Sequence, residues 1–274
     1  MKDLVISGWS FFFRWPVANA AVFRELGIFW GPLLQMCVYL TFALTAHLIL
    51  PASFQQWSVF LGWIGLSCLT GFFHEDGLAD TADSLGVSKF DSGASLEKIH
   101  STFKDPRLGT FGVSALVLFW MSRYSMSQNS LLTPVVCAFV CLLSRATSLG
   151  LGLYFFSRLP PSHSARSSHV MQNVSACRAA FHLFLAVFIG ALLCLFLGTT
   201  LGPSPWSLEK VSTALLDPTG AFVAFLVPII ATGVLLWLLV RRTESINGDL
   251  LGAAVCASEV LIMTGILLRI ESFV

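Results

Sequence analysis

Long apolar stretches alternate with shorter polar segments along this chain. An α-helix needs roughly 20 apolar residues to cross a ~30 Å hydrocarbon core. The stretches that reach or approach this length are residues 27–50, 57–73, 110–126, 131–153, 179–202, 219–240 and 250–268. The pattern predicts an all-α fold, a polytopic integral membrane helical bundle of about seven transmembrane helices that forms one domain over residues 1–274. The composition agrees, because a chain that is 55% hydrophobic and 11% charged is more apolar than a soluble domain.

The basic residues lie mostly on one side of the predicted spans. If the N-terminus is cytoplasmic, 12 of the 16 Lys and Arg residues fall in the amino-terminal segment or in the connections 74–109, 157–178 and 241–249. Lys and Arg are enriched in cytoplasmic loops, so we predict a cytoplasmic N-terminus and chemistry at the cytoplasmic face. Arg123 would then lie outside and Arg145 within a span. The net charge of +1 and the absence of a basic patch argue against a nucleic-acid partner.

The amino-terminal 26 residues precede the first predicted span. Residues 5–15 combine Trp9, Trp15 and three consecutive phenylalanines with Arg14. Aromatic side chains of this kind favour the headgroup region of a bilayer. We therefore expect residues 5–15 to form an interfacial helix within the amino-terminal segment 1–26, rather than a further span.

The most informative polar segment is residues 74–83, with the sequence HEDGLADTAD. On a helix, Asp76, Asp80 and Asp83 share one stripe, where like charges repel each other. A divalent cation such as Mg²⁺ would offset the repulsion and leave room for substrate phosphates. The alternative, an acid-rich first turn that complements the helix dipole, explains a third acid two turns in poorly. We therefore predict a metal site in a cytoplasmic loop formed by residues 74–109, with His74 beside it as a base, a metal ligand or a structural residue.

Two further polar clusters lie on the same predicted side. Lys104 and Arg107 precede the third span, where free backbone N–H groups at a helix N-terminus favour a phosphate. A positively charged membrane anchor explains either residue equally well. Asn247, Gly248 and Asp249 begin the last span, and the position of Asp249 suits an N-cap.

Two charged residues fall within predicted spans, Glu259 and Arg145. An ionised side chain there costs about 2.5 kcal/mol or more, so it usually faces the bundle interior and has a partner. The two residues could pair and lock their helices together. We favour an Arg145 that reaches a substrate phosphate, because the guanidinium fork matches phosphate oxygens.

Residues 71–83, GFFHEDGLADTAD, closely resemble the signature of the cobalamin synthase family, the adenosylcobinamide-GDP ribazoletransferases. Residues 10–17, residues 104–110, the Ser144-Arg145 pair and the segment from Gly248 to Glu259 resemble the family's other motifs, in the same order. The chain departs from the family pattern at Phe72, where a second glycine is expected, and at Ser84 and Cys256.

The resemblance implies a transferase of vitamin B12 biosynthesis in the bacterial inner membrane. The 3′-hydroxyl of α-ribazole, or of its 5′-phosphate, would attack the cobinamide-linked phosphorus of adenosylcobinamide-GDP, and GMP would leave. The expected ligands of one or two Mg²⁺ ions are Asp76, Asp80, Asp83 and Asp249. The expected substrate contacts are Lys104, Arg107, Arg145 and Asn247. The candidates for catalytic roles are His74, Glu75, Arg107 and Arg145, with His74 or Glu75 as the base. Membrane lipid surrounds such a protein, and an oligomer is possible.

Two other classes of protein remain open from the residues alone. Another membrane enzyme of Mg²⁺-diphosphate chemistry, such as a CDP-alcohol phosphotransferase or a prenyltransferase, would also use aspartates, but with different spacings and a different arginine pattern. A membrane transporter could line a path with Arg145 and Glu259. A transporter has no need of an acidic triplet in a loop, and no inverted repeat is evident.

Overall fold

The computed structural model describes residues 2–13, 25–87, 96–103, 105–129, 132–158, 175–200 and 222–271. Within these ranges it contains ten α-helices and no β-strand, so the all-α prediction is confirmed. In chain order the helices are α1 (Lys2–Phe12), α2 (Gly31–Ile49), α3 (Trp57–Thr70), α4 (Phe73–Gly86), α5 (Leu96–Thr102), α6 (Thr110–Ser127), α7 (Pro134–Phe156), α8 (Ala176–Thr200), α9 (Val227–Thr243) and α10 (Gly248–Glu271).

The described residues contain five segments that are long and apolar enough to cross a membrane. They are Leu26–Ile49, Pro134–Phe156, Ala176–Gly198, Ala224–Thr243 and Gly248–Arg269. The helices α3 and α4 pass the same test only as a bent pair, and α6 does not pass it, since it contains Arg123 and four serines. The prediction of a multi-pass membrane bundle is confirmed. The described residues contain five such segments, or six if the bent pair is one broken span, and the count of about seven stays a prediction. The helix α4 lies beyond the bend, outside the five straight segments.

The amino-terminal helix differs from its predicted position. It begins at Lys2 and ends at Phe12, whereas the sequence predicted residues 5–15; Arg14 and Trp15 lie outside the described residues. Phe12 and Phe13 are buried in the core of the bundle, and the ring of Phe12 meets Phe73 edge-on at 6.2 Å. These two aromatic side chains therefore pack against the protein and not only at the headgroup level.

A sharp bend of 84° separates α3 from α4. It occurs at two consecutive left-handed residues, Gly71 (φ 68°) and Phe72 (φ 58°). Glycine adopts this region freely, whereas an L-residue such as phenylalanine pays about 1–2 kcal/mol. The bend explains why the resemblance leads one to expect glycine at position 72. It also turns the acidic helix away from the direction of α3.

The acidic segment is helical and packed, not a loop. Residues 73–86 form α4, which packs against α6 and α10, and residues 96–102 form the short helix α5. The connection 74–109 thus contains the helix on which the sequence placed the aspartates, and one side of that helix, with His74, Glu75 and Gly77, is buried. Contacts of α4 with the start of α6, the end of α9 and the start of α10 place these termini together at one end of the bundle.

Candidate active site

The two faces of α4 differ in polarity and in exposure. Asp76 is exposed and Asp80 and Asp83 are half-buried, so this face is open to solvent. His74 and Glu75 lie on the opposite face and are 5% and 3% exposed. The i, i+4, i+7 spacing of the aspartates on a helix that begins at Phe73 produces this separation. The structure therefore brings the three aspartates to one accessible surface.

A fourth carboxylate, Asp249, joins this surface from the first turn of α10. The helices approach closely at Gly77, where an added Cβ would lie 2.6 Å from the carbonyl oxygen of Asp249 and 2.9 Å from its Cα. On the facing helix, a Cβ at Gly252 would lie 3.2 Å from the carbonyl oxygen of His74. These two glycines let the backbones of α4 and α10 meet, which brings Asp249 beside the acidic face.

The four carboxylates share one electrostatic environment. The pKa of Asp80 is raised from its ordinary value to about 7, mainly by partial burial and then by the negative charges of Asp76, Asp249 and Asp83, in that order. Repulsion among carboxylates is the cost of holding them together without a cation. A bound divalent cation would remove this cost, so the donor set suits a hard metal ion.

Asp83 also caps the start of α6. Its Oδ2 accepts a hydrogen bond from the N–H of Gly109 at 2.7 Å, and its Oδ1 accepts one from the N–H of Gly112 at 2.8 Å. A Cβ at either glycine would lie 2.4 Å from a carboxylate oxygen of Asp83. The sequence left open whether a phosphate binds at this helix N-terminus; in the structure a protein carboxylate accepts its N–H groups. Each oxygen keeps a second lone pair that can still meet a cation.

No three His, Cys, Asp or Glu side chains in the described part of the chain are close enough to enclose one metal ion. Proteins usually hold Mg²⁺ with only one or two carboxylates, and water or substrate phosphates complete the octahedron. An open acidic surface of this kind fits an ion shared with a diphosphate better than a closed structural site. The metal assignment of the aspartates stays a prediction.

Glu75, one of the two candidates for the base, lies in a buried ion-pair network, and its role as a base stays a prediction. Its carboxylate accepts hydrogen bonds from the guanidinium of Arg123 at 2.8 Å and from the hydroxyl of Ser67. Arg123 is 1% exposed and also donates to Glu259, at 2.6 Å and 3.0 Å. Arg123 was expected on the outer side of the membrane; it is buried in the bundle, opposite two carboxylates and against the ring of Phe119, 4.2 Å away. Glu75 therefore joins α4 to α6 from the buried side.

Arg145 and His74 belong to the same buried network, not to the acidic surface. Arg145 is 3% exposed, donates to Gln35 at 2.7 Å and lies 3.4 Å from Glu259. The Nε2 atom of His74 is 3.0 Å from the same Gln35 oxygen. Their expected catalytic roles stay predictions; in this structure a helix that includes position 74 directs the histidine inward, and the Arg145 guanidinium lies beside Glu259.

Arg107 and Lys104, two further predicted substrate contacts, precede the start of α6. The Arg107 side chain is 86% exposed and forms two hydrogen bonds to Asp105, at 2.9 Å and 2.8 Å. These bonds hold the pKa of Asp105 down to about 2. Lys104 lies outside the described residues. Arg107 is accessible and two residues from Gly109, so it remains available to an anionic substrate near Asp83.

Asn247, and not Asp249, caps α10. The Asn247 side-chain oxygen accepts a hydrogen bond from the N–H of Leu250 at 2.9 Å, which is the N-cap geometry. Its amide donates to Oδ2 of Asp249 at 3.1 Å. The side chain of Asn247 therefore orients Asp249, and its predicted contact with substrate stays a prediction. Asp249, freed from capping, can face the other aspartates.

Sequence reasoning missed two groups that hold the site together. Gln35 links His74 to Arg145, and a lone glutamine in an apolar span offered no specific signal. Arg123 did offer one, because a charged residue in a largely apolar segment usually faces a partner inside the bundle. Because Arg123 lies near the end of a predicted span, it was expected on the outer side of the membrane and not inside the bundle.

Comparison with known proteins identifies relatives over nearly the whole chain. The family model of cobalamin-5-phosphate synthase matches residues 4–267. The adenosylcobinamide-GDP ribazoletransferase of Vibrio parahaemolyticus is 27% identical over 279 residues, which cover 95% of this chain and 90% of the relative. That of Vibrio cholerae is 30% identical over 208 residues, covering 75% and 69%. That of Allorhizobium ampelinum is 42% identical over 103 residues, covering 36% and 37%. No solved structure matches the chain.

Proposed function

The chain belongs to the cobalamin-5-phosphate synthase family, and from this premise we propose that it is an adenosylcobinamide-GDP ribazoletransferase. The enzyme joins α-ribazole, or α-ribazole 5′-phosphate, to adenosylcobinamide-GDP and releases GMP. The product is adenosylcobalamin or its 5′-phosphate. The observation that carries this function is the match over residues 4–267, since it includes every motif that forms the acidic surface.

The acidic surface fits the chemistry of this reaction. Displacement at a diphosphate depends mainly on positioning and on neutralising the phosphate charge. Mg²⁺, when bound, would supply that neutralisation. Asp76, Asp80 and Asp249 would hold the ion or ions from two helices. Asp83 would contribute its free lone pairs while it fixes the start of α6.

Other residues of the chain orient the substrates. Arg107 is exposed near the start of α6, and with Lys104 it would contact the phosphate of the departing GMP. Such charge-assisted hydrogen bonds to phosphate are strong and directional. The buried network of Arg123, Glu75 and Glu259 keeps the acidic face of α4 turned toward solvent. Its role in the reaction is indirect.

We further propose that the acidic surface faces the cytoplasm, from the inner membrane of a bacterium. Arg107, Arg158 and Arg242 lie at the same end of the bundle as the aspartates, in connections or at helix ends, and basic residues favour the cytoplasmic side. The substrates are large and anionic, so a cytoplasmic surface would receive them without transport across the bilayer.

The other classes considered from the sequence find no support among the relatives, which carry the ribazoletransferase name. The test is direct. Purified protein is incubated with adenosylcobinamide-GDP, α-ribazole 5′-phosphate and Mg²⁺, and GMP release is followed over time. We expect stoichiometric GMP and adenosylcobalamin 5′-phosphate. Release of CMP from a CDP-activated alcohol, with no GMP from the corrinoid, would contradict the proposal.

A further inference from the structure

A cation from α9 holds the carboxyl-terminal end of the acidic helix. The Nη2 atom of Arg242 donates hydrogen bonds to the carbonyl oxygens of Leu85, at 3.0 Å, and Val87, at 2.7 Å. Carbonyls at the end of a helix have no partner within that helix. Arg242, a residue of α9, therefore donates the hydrogen bonds that these two carbonyls do not receive within α4.

The charge distribution of α4 makes this contact important. The helix contains Glu75, Asp76, Asp80 and Asp83 and no Lys or Arg, and its last turn has no basic residue. Two of the aspartates lie in its second half, near the negative end of the helix dipole, where carboxylates are disfavoured. A guanidinium at the final carbonyls offsets both the dipole and part of the aspartate charge.

Arg242 also connects the two elements that form the acidic surface. It precedes Asp249 by seven residues, across the short turn between α9 and α10. A second contact fixes this turn, because Nε2 of His100 lies 2.7 Å from the carbonyl oxygen of Thr243. The bond from Arg242, in the last turn of α9, to the end of α4 therefore limits how far Asp249 can move relative to Asp80.

We propose that Arg242 is a positioning residue that keeps the aspartates of α4 in register with Asp249 for binding a divalent cation. It touches neither the ion nor the substrate. The role rests on the proposed function, since the acidic surface is the reaction site assigned there. Groups that support ligands from outside the coordination sphere change metal affinity or activity by about 10–100-fold when removed.

The neighbouring residue offers a matched control. Arg241 is exposed, and its guanidinium stacks 3.9 Å from the ring of Trp237. Arg241→Ala removes the same charge one position away and leaves the bonds to α4 intact. Arg242→Lys keeps the charge and can still donate to a carbonyl, so it tests rescue.

The experiment uses purified full-length protein in detergent, with Mn²⁺ as a paramagnetic probe of the cation site. Bound Mn²⁺ is counted by electron paramagnetic resonance, and hydrogen exchange is measured for the peptide that contains residues 82–87. We expect Arg242→Ala to bind Mn²⁺ about tenfold more weakly and to exchange faster in that peptide. Arg241→Ala should match the wild type, and Arg242→Lys should regain most of the affinity.

Equal Mn²⁺ affinities for Arg242→Ala and Arg241→Ala would overturn the inference, as would unchanged exchange in residues 82–87. A wild-type protein that binds no Mn²⁺ would also overturn it. GMP release is measured on the same samples. Absence of GMP release from the wild type, with the Mn²⁺ difference intact, would remove the proposed function and leave the positioning role of Arg242 standing.

Discussion

Arg123→Met removes the central cation of the buried network, and its cost follows from the contacts. The guanidinium donates two hydrogen bonds to Glu259 and one to Glu75. After the change, Glu259 still has Arg145 at 3.4 Å. Glu75 keeps only the hydroxyl of Ser67 and becomes an unpaired buried carboxylate. Removing one partner of a buried ion pair costs about 3–5 kcal/mol.

A second substitution separates this explanation from a simple loss of packing. Arg123→Met combined with Glu75→Gln leaves no unpaired charge at the buried position 75, because an uncharged amide replaces the carboxylate. Replacing both members of a buried pair is often close to neutral. We therefore expect the double variant to be more stable than the single variant.

The assay is thermal unfolding in detergent, followed with a thiol-reactive dye. Cys137, Cys141, Cys194 and Cys256 are buried and become reactive when the bundle opens. A loss of 3–5 kcal/mol corresponds to a fall of roughly 10 °C in the apparent midpoint for a chain of this size. A midpoint of Arg123→Met within about 2 °C of the wild type, or a double variant less stable than the single, would refute the reasoning.

The other predictions concern the acidic surface. Gly77→Ala places a Cβ 2.6 Å from the carbonyl oxygen of Asp249 and should lower the rate of GMP release about tenfold or more. Gly150→Ala is the control, because its Cβ meets nothing closer than a Leu183 methyl at 3.8 Å; equal rates would count against the close approach. Asp83→Ala should abolish transfer and also cost about 1 kcal/mol in thermal unfolding, because it removes the cap of α6. Asp76→Ala should abolish transfer without that loss, since Asp76 is exposed; equal loss of stability in both variants would contradict the distinction. Chelation should stop GMP release, and Mg²⁺ should restore it where Ca²⁺ does not, since Ca²⁺ prefers more ligands at longer distances; activity in excess chelator would contradict the metal assignment.

Much of the architecture was predictable because the bilayer imposes length and polarity on each span. The windows 131–153 and 250–268 correspond closely to α7 and α10. The windows 57–73 and 110–126 also correspond to helices, α3 and α6, but neither helix passes alone as a straight span. α6 carries a buried arginine paired with carboxylates, and α3 ends at a left-handed bend that no apolar pattern reveals.

The acidic stripe was predictable because it depends only on helical spacing, which fixes the relative directions of Asp76, Asp80 and Asp83. The roles of Glu75 and Arg145 were not predictable in this way. Their partners Arg123 and Gln35 are distant in sequence, and only the packing of α2, α4, α6 and α7 brings them together. The N-cap of α10 was also not predictable. Asn247 and Asp249 are both suitable capping residues, and only the structure shows that the helix is capped by Asn247.

The central claim is that the acidic face of α4 carries the transfer reaction. Asp80→Asn tests it most directly, because Asp80 lies between the other aspartates and the amide is nearly isosteric. Glu97→Gln is the matched control, since Glu97 is an exposed acid of α5 outside this surface. With adenosylcobinamide-GDP and α-ribazole 5′-phosphate at saturating Mg²⁺, we predict that Asp80→Asn releases GMP about 100-fold more slowly than the wild type, while Glu97→Gln is unchanged. Equal rates of GMP release for the two variants would contradict the claim.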